Sequence, residues 1–250
     1  MTISPKKDWE HRWESGYYRT IPDEIENNRK TAQGRISLEL LKRFPKGSKV
    51  LEAGCGLGVW DFLFEEMGFQ SYGVDFSEAA IKAATQYAKE KGLHSQFYLG
   101  DLRKLPFENN FFDAIVSYGA IEHFDDSENA VKEFFRVLRP GGACLVTTPN
   151  PFNFHRLIGR HYLNMTKSAK LGYVGKENDF TPKALAKMFK DTGFKDVRYG
   201  IVDEGLLFGM FWQYIPIVGS PLYCVFQKIS RFIERIQPLA GTASYAIGYK

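Results

Sequence analysis

A run of three closely spaced glycines, Gly54, Gly56 and Gly58, is the feature of this chain best suited to binding a ligand. The glycines follow a short apolar run, residues 50–53. Apolar residues at helical spacing come directly after them: Trp60, Leu63, Phe64 and Met67. Glycine lets the backbone bend sharply, and it lets a ligand reach the backbone without a Cβ atom in the way. The pattern predicts a buried strand, a tight ligand-binding turn and an amphipathic helix.

Polar residues that could act on a ligand follow the next predicted strands. Asp75 ends the second strand, Asp101 follows the third and His123 follows the fourth. The second, third, fourth and fifth strands are predicted over residues 72–75, 97–99, 112–117 and 143–147, respectively. An acid at the carboxyl end of a strand beside a glycine turn is placed to accept both hydroxyls of a ribose. The spacing therefore indicates a site for a nucleoside-containing ligand.

Helical patterns alternate with these strands along the chain. Helices are predicted over residues 26–44, 78–91, 128–138 and 181–192, and two more strands over residues 194–202 and 244–249. Such alternation predicts a parallel sheet with helices on both faces. At 250 residues and 44% apolar content, the chain is expected to form one domain, residues 1–250.

The ordered set of motifs between residues 49 and 150 resembles the class I S-adenosylmethionine-dependent methyltransferases, a Rossmann-like group that includes quinone and small-molecule methyltransferases. The resemblance implies an α/β fold with a seven-stranded, mostly parallel sheet, in which the last two strands pair antiparallel. A simple dinucleotide-binding fold is the rival interpretation. Its fingerprint, G-x-G-x-x-G, needs a third glycine where this chain has Val59.

The resemblance implies S-adenosyl-L-methionine as cofactor and S-adenosyl-L-homocysteine as product. It places the methionine end on the glycine turn with Glu52 near the ammonium group, the ribose on Asp75 and the adenine on Phe76. The adenine amino group would donate to Asp101. The cofactor-binding residues implied in this way are Glu52, Gly54, Cys55, Gly56, Gly58, Asp75, Phe76, Asp101, Leu102, Ser117 and Tyr118.

His123 is the candidate catalytic base, because an unperturbed imidazole titrates near pH ~6.5. The alternative is a histidine that makes only a structural hydrogen bond at the start of a helix. Some quinone-pathway O-methyltransferases bind a metal through an extra acid three residues before this Glu-His pair. Gly119 occupies that place here, so we predict no metal. The acceptor is expected to be a small or lipid-like molecule, methylated on oxygen rather than on nitrogen or carbon.

The resemblance also suggests parts that could select the acceptor. Residues 1–48 would form an N-terminal helical lid over the cofactor-binding core, residues 49–149, and residues 150–180 and 203–242 are insertions where the family builds substrate caps. Substrate contacts are expected from Tyr17, Tyr18, Arg156 and Arg160. A lid and a packed helical cap cannot be distinguished from the sequence.

Charge and apolar content are unevenly distributed in the second half of the chain. Residues 151–250 hold 14 Lys and Arg against 7 Asp and Glu, and residues 205–226 carry no charge. Pro216 and Pro221 would break a membrane-spanning helix there. The uncharged stretch is therefore interpreted as a substrate tunnel, a hairpin dipping into a bilayer or a dimer contact. The basic stretch 151–176 is either a solvated face or a surface for an anionic substrate or membrane.

The N-terminal sequence and the cysteines indicate where the protein is located in the cell. The N-terminus lacks the apolar core of a secretory signal, and three scattered cysteines suit a reducing cytoplasm, so we expect a cytoplasmic protein with or without a peripheral membrane contact. A nucleic-acid or protein substrate, with nucleic acid less favoured, and a cofactor-binding subunit without catalysis remain as alternatives. The oligomeric state is not predicted.

Overall fold

The computed structural model describes residues 21–152, 178–202 and 241–250. Its α-helices are α1 (Ile21–Lys30), α2 (Ala32–Leu41), α3 (Val59–Glu66), α4 (Glu78–Lys91), α5 (Ser127–Val137) and α6 (Pro182–Thr192), and a 3₁₀ turn spans Ile121–His123. The strands are β1 (Lys49–Ala53), β2 (Gln70–Asp75), β3 (Gln96–Leu99), β4 (Phe112–Tyr118), β5 (Leu138–Pro149), β6 (Lys195–Val202) and β7 (Ala243–Tyr249). The predicted substrate contacts Tyr17, Tyr18, Arg156 and Arg160 lie outside the described residues, as do residues 1–20 of the predicted lid and most of the two predicted caps.

The strands form one seven-stranded sheet in the order β3-β2-β1-β4-β5-β7-β6. The neighbouring strands from β3 to β5 are parallel, whereas β7 runs antiparallel to both β5 and β6. The α/β class, the mostly parallel sheet and the antiparallel pairing of the last two strands are therefore confirmed.

The central strands are buried because helices cover both faces of the sheet. Strand β4 is buried along almost its whole length, and β1 has only its first residue partly exposed. Continuous apolar runs of this kind are typical of parallel strands that are covered on both faces. The core accordingly forms two clusters of buried side chains, one containing Leu51, Ile115 and Phe134 and the other Val50, Leu63 and Leu145.

Side-chain caps fix where the helices begin. Ser77 accepts a hydrogen bond from the backbone N–H of Ala80 at the start of α4, and Thr181 accepts one from Ala184 at the start of α6. Each cap satisfies a backbone donor that the first helical turn leaves without a partner. Helix α4 matches the predicted span, 78–91, and α6 begins one residue after the predicted start.

Two elements differ from the predictions by more than two residues. The single helix expected over residues 26–44 is two helices, because Thr31 leaves the helical conformation and caps α2 by accepting from the Gly34 N–H. Strand β5 begins at Leu138, five residues before the predicted start, because Leu138 pairs with Phe112 at the beginning of β4.

Candidate active site

The glycine turn between β1 and α3 lies where the carboxyl ends of the parallel strands meet. Gly54 and Gly58 have φ angles of +85° and +72°, a region that other residues rarely adopt. A Cβ atom on Gly54 would lie 2.5 Å from the Cβ of Ala120, and one on Gly58 would lie 2.4 Å from the Phe97 ring. The turn therefore needs glycine at both positions, and it packs against the segment that follows β4.

Asp75 ties the end of β2 to the glycine turn. Its Oδ2 accepts a hydrogen bond from the Gly56 N–H at 2.9 Å, and its Oδ1 accepts one from the Ser77 N–H at 2.9 Å. The side chain is buried. The structure thus places Asp75 beside the glycine turn, as the predicted ribose site requires.

Glu52 on β1 and Asp61 on α3 form a buried pair of carboxyl groups behind the turn. Asp61 Oδ1 accepts from the Ser71 hydroxyl at 2.7 Å. Among the described residues, no donor reaches Glu52 Oε2 or Asp61 Oδ2. The two buried carboxyl groups are close enough to influence each other's ionisation.

Burial governs the protonation of this pair. Loss of solvation raises the pKa of Asp61 to about 7. Burial and the nearby Asp61 raise the pKa of Glu52 well above its usual range. Burial, with the same acids nearby, also raises the pKa of the Cys55 thiol. The cysteine is therefore a neutral side chain and not a nucleophile.

Asp101, the predicted acceptor for adenine, is held by Arg103 in this structure. Arg103 donates to Asp101 Oδ2 at 2.6 Å through Nη2 and to Oδ1 at 2.9 Å through Nε, and its backbone N–H also donates to Oδ1 at 2.9 Å. Arg103 Nη1 bonds Asp126 at 2.8 Å, and the guanidinium lies 5.0 Å from the centroid of the Phe124 ring. The hydrogen bonds from Arg103 lower the pKa of Asp101. An exposed fraction of 42% leaves the Asp101 carboxylate open to a further donor, such as an adenine amino group.

The remaining predicted cofactor residues line the same edge of the sheet. The Ser117 hydroxyl donates to the Ala53 carbonyl at 2.8 Å, so it holds β4 to β1. The Tyr118 hydroxyl donates to Ser37 at 2.5 Å, and burial raises its pKa. Leu102 is buried with its Cδ1 within 3.8 Å of the Cβ position of Gly54, whereas Phe76 is half-buried.

His123 ends the 3₁₀ turn after β4 and is half-buried. Its backbone N–H donates to the carbonyl of Ala120, the residue that packs against Gly54. Asn178 supports this turn from outside, since its backbone N–H donates to the Glu122 carbonyl and its amide to the Phe124 carbonyl. The structure therefore places His123 at the same edge as the glycine turn, on a backbone held from two sides.

Two residues of this edge were not found from the sequence. Asp61 sits inside the apolar stretch 59–64, and a charge within such a stretch is the signal that could have revealed it. Arg103 follows Asp101 by two residues, but its second partner, Asp126, is 23 residues away. Among the residues that the structure describes, no three His, Cys, Asp or Glu side chains are grouped to hold a metal ion. The absence of a metal stays a prediction.

Comparison with known proteins identifies the family. A model described as a methyltransferase domain matches residues 51–146. A demethylmenaquinone methyltransferase from Listeria welshimeri is 32% identical, over 64% of this chain and 75% of that protein. A probable S-adenosylmethionine-dependent methyltransferase from Mycolicibacterium smegmatis is 36% identical, over 54% of this chain and 51% of that protein. The chain belongs to the class I S-adenosylmethionine-dependent methyltransferases.

Solved structures agree on the fold of this methyltransferase. A structure of the complex between the Haloferax volcanii Trm112 methyltransferase activator and a methyltransferase superposes with a TM-score of 0.66 at 18% identity, over 96% of this chain and 96% of that one. Phosphoethanolamine N-methyltransferase 2 of Haemonchus contortus, bound to S-adenosyl-L-methionine, superposes with a TM-score of 0.60 at 19% identity, over 93% of this chain and 60% of that one.

S-adenosyl-L-methionine is the cofactor of this family, and the residues present fit it. The glycine turn excludes Cβ atoms at the carboxyl edge, where a ligand must approach the backbone. Glu52 and Asp61 keep carboxyl oxygens that no donor of the described residues reaches, which suits a ligand carrying positive charge. The enzyme therefore offers a cradle for a cationic nucleoside and catalyses methyl transfer from it.

Proposed function

We propose that this methyltransferase acts on a small, lipid-like acceptor with an ionisable hydroxyl, such as a reduced quinone, and that it methylates the oxygen. The observation that carries the proposal is the packing of Ala120 against Gly54, because it brings the turn that bears His123 to the ligand-binding edge. The hypothesis of a quinone-like acceptor is supported by the demethylmenaquinone methyltransferases among the relatives.

In the proposed arrangement, the cofactor lies along the carboxyl ends of β1, β2 and β4. Its amino-acid end lies over the glycine turn with its ammonium group at Glu52. Asp75 accepts the ribose hydroxyls, and Phe76 and Leu102 enclose the adenine. The backbone after Ser117 and Tyr118 forms the floor on the side of the acceptor. When bound, the cofactor supplies a methyl group that leaves a sulfonium readily.

The residues of this chain hold the acceptor in line with the methyl group and remove one proton from its hydroxyl. Positioning two reactants in line is worth up to roughly 7–11 kcal/mol in well-oriented intramolecular reactions. His123 takes the hydroxyl proton of the acceptor, so that the oxygen carries a negative charge toward the methyl group. Asn178 keeps this turn in place through hydrogen bonds to the carbonyls of Glu122 and Phe124.

The location of the acceptor is part of the same proposal. The uncharged stretch 205–226 and the basic stretch 151–176 would form an apolar wall beside a cationic surface, which suits an amphiphile with an anionic head. Both stretches lie outside the described residues. In the part of the chain that the structure describes, no helix has the length and apolar content needed to cross a bilayer.

The test is to measure S-adenosylhomocysteine formation with four acceptors: a reduced short-chain naphthoquinone, a hydroxylated lipid, total RNA and a protein extract. We expect turnover with the first or second, and NMR of the product should show the new methyl group on oxygen. A methyl group on carbon would overturn the assignment of the atom and of His123 as a hydroxyl base. Turnover with RNA or protein alone would overturn the acceptor class.

A further inference from the structure

Arg103 is a mostly buried arginine that joins two separate segments of the ligand-binding edge. Its side chain is only 12% exposed. The guanidinium donates to both carboxylate oxygens of Asp101, at 2.9 Å through Nε and at 2.6 Å through Nη2. It also donates to Asp126 at 2.8 Å through Nη1 and lies 5.0 Å from the centroid of the Phe124 ring. One side chain therefore holds two acids, one after β3 and one before α5.

The Asp101 side of this link lies at the predicted cofactor site. The Gly100 N–H donates to the carbonyl of Asp75 at 2.9 Å, which joins the segment after β3 to the predicted ribose acid. The Leu102 side chain reaches within 3.8 Å of where a Cβ on Gly54 would stand. The Asp101 carboxylate is bonded to Arg103 but is still 42% exposed. It is therefore held in one orientation and remains open to a donor from a ligand.

The Asp126 side of the link belongs to the segment that follows His123. Phe124 comes directly after His123, and its carbonyl accepts from the Ser127 hydroxyl at 2.8 Å. Asp126 stands at the N-cap position of α5 but makes no side-chain capping bond there. Its carboxylate instead accepts from Arg103. Arg103 thus contacts the segment that leads from the candidate base into α5.

Arginine suits this link because its donors lie in a rigid planar fork. A guanidinium can bond one carboxylate with two nitrogens while its third nitrogen bonds another acid. A lysine ammonium is a point charge on a flexible stem, so it cannot hold both acids in a fixed arrangement. Arg103 forms ion pairs with both Asp101 and Asp126, so two carboxylates face one cation. The excess negative charge favours a further hydrogen-bond donor at the exposed part of Asp101.

We propose that Arg103 is a positioning residue that holds Asp101 for the amino group of the adenine and ties this acid to the turn that bears His123. Arg103 acts on the cofactor only through Asp101. The inference rests on the adenine site proposed above. Recognition of the amino group therefore depends on Arg103, and binding of that group stabilises the segment between His123 and the first turn of α5.

The first experiment compares two ligands by isothermal titration calorimetry: S-adenosylhomocysteine and its analogue with purine in place of adenine, which lacks only the amino group. Wild-type protein should bind S-adenosylhomocysteine about tenfold or more tightly, the size of one hydrogen bond to a charged group. Arg103→Met keeps an apolar stem against Phe124 but loses every donor of the side chain. Its affinity ratio should fall below about threefold, as should that of Asp101→Ala. An unchanged ratio in Arg103→Met would overturn the inference, because a purely structural arginine affects both ligands equally.

Two further variants separate position from charge and from stability. Arg103→Lys keeps the charge but not the fork, so its ratio should also stay below about threefold. A wild-type ratio in Arg103→Lys would overturn the fixed arrangement. Arg136 is the matched control at the other end of α5, where it donates to Glu133 and to the carbonyls of Leu105 and Phe107. Arg136→Met should lower stability and keep the wild-type ratio, and an equal fall in its ratio would contradict a specific role of Arg103.

The second experiment is hydrogen–deuterium exchange, which needs no methyl acceptor. With wild-type protein, saturating S-adenosylhomocysteine should slow exchange in peptides covering residues 53–58 and 123–129. The purine analogue at saturation should protect residues 53–58 alone, because it offers Asp101 no donor. Asp126→Ala should show the same separation with S-adenosylhomocysteine, since the link to the turn is cut while Arg103 still holds Asp101. Equal protection of residues 123–129 by both ligands in the wild-type protein would overturn the link, whether or not any variant folds.

The outcomes separate this inference from the placement of the cofactor. Binding with an unchanged ligand ratio in Arg103→Met would remove the role of Arg103 alone. Equal affinity of the wild-type protein for the two ligands would mean that Asp101 does not bind the amino group, which removes the adenine contact and this inference with it. Undetectable binding of S-adenosylhomocysteine to the wild-type protein would remove the placement of the whole cofactor.

Discussion

The two ends of the sheet bury carboxyl groups in opposite ways. At the amino ends of the strands, Asp113 accepts from the Lys49 backbone N–H at 2.6 Å and forms an ion pair with Arg139. At the carboxyl ends, Glu52 and Asp61 lie near each other and Asp61 accepts from Ser71, and none of the described groups that act on the pair is a cation. The described residues thus supply a counter-ion to Asp113 but not to Glu52 and Asp61.

This contrast separates stabilising acids from ligand-binding acids. A buried charge that serves only the fold is stable when donors and a counter-ion come from the same chain. A buried acid without a cation costs stability unless it keeps its proton, and such groups concentrate at functional sites. The cofactor edge of this enzyme thus gives up stability that the opposite edge retains.

The largest expected effect concerns catalysis at the carboxyl edge. His123→Ala should lower turnover by ~10²-fold or more, because the hydroxyl proton of the acceptor loses its base, while affinity for S-adenosylhomocysteine stays unchanged by calorimetry. His94→Ala is the matched control, since the His94 side chain is exposed and its ring contacts Glu65. Activity of His123→Ala within a few-fold of wild type would mean that His123 has only a structural role.

The next effect concerns cofactor affinity. Asp75→Ala removes a carboxylate that holds the Gly56 N–H and, in our proposal, the ribose. Hydrogen bonds to charged groups contribute about 1.5–3 kcal/mol, so affinity for S-adenosylhomocysteine should fall at least tenfold. Circular dichroism should show that the fold persists. Undiminished affinity in a folded variant would place the ribose elsewhere.

The opposite edge should show the reverse pattern. Asp113→Asn weakens the contacts with Arg139 and the Lys49 N–H, and a poorly satisfied buried partner costs about 1–3 kcal/mol. Urea unfolding should report that loss of stability, whereas affinity for S-adenosylhomocysteine should not change. A variant that binds the ligand tenfold more weakly would contradict the division between the two edges.

A further expected effect is a pH dependence of stability in the ligand-free protein. Burial raises the pKa of Asp61 to about 7 from an ordinary value of 3.8, so between these values the folded chain binds a proton that the unfolded chain has lost. Stability should therefore fall as pH rises from about 4 to about 7, by at most about 1.4 kcal/mol per pH unit from this group. Thermal unfolding of Asp61→Asn should show a flatter profile over this range, and a profile as steep as wild type would contradict the argument.

The parts of the site that were predicted are those with a local cause. The turn at Gly54 and Gly58 and the acid at the end of β2 follow from residues adjacent in sequence, and the structure brings them together as expected. The predicted starts of the helices over residues 78–91 and 181–192 have an equally local cause, because Ser77 and Thr181 each cap a backbone donor three residues further on.

The parts that were not predicted depend on packing between distant segments. Asp61 is on the buried face of α3 because that helix packs against β1 and β2. Ser71 on β2 donates to Asp61, and Glu52 on β1 lies near it. Arg103 donates to Asp126, which is 23 residues away in the sequence, and the same guanidinium also donates to Asp101. Helical periodicity identifies an apolar face, but it does not show which polar group a neighbouring strand will present to that face.

The most direct test of the contrast between the two edges is hydrogen–deuterium exchange with and without S-adenosylhomocysteine. We expect slower exchange on binding in peptides covering residues 53–58 and 74–77, where Asp75 and the glycine turn share hydrogen bonds. Peptides covering residues 109–114 and 138–142, around Asp113, should exchange at the same rate in both states. Protection confined to the Asp113 edge, or none at the glycine turn under saturating ligand, would contradict the account.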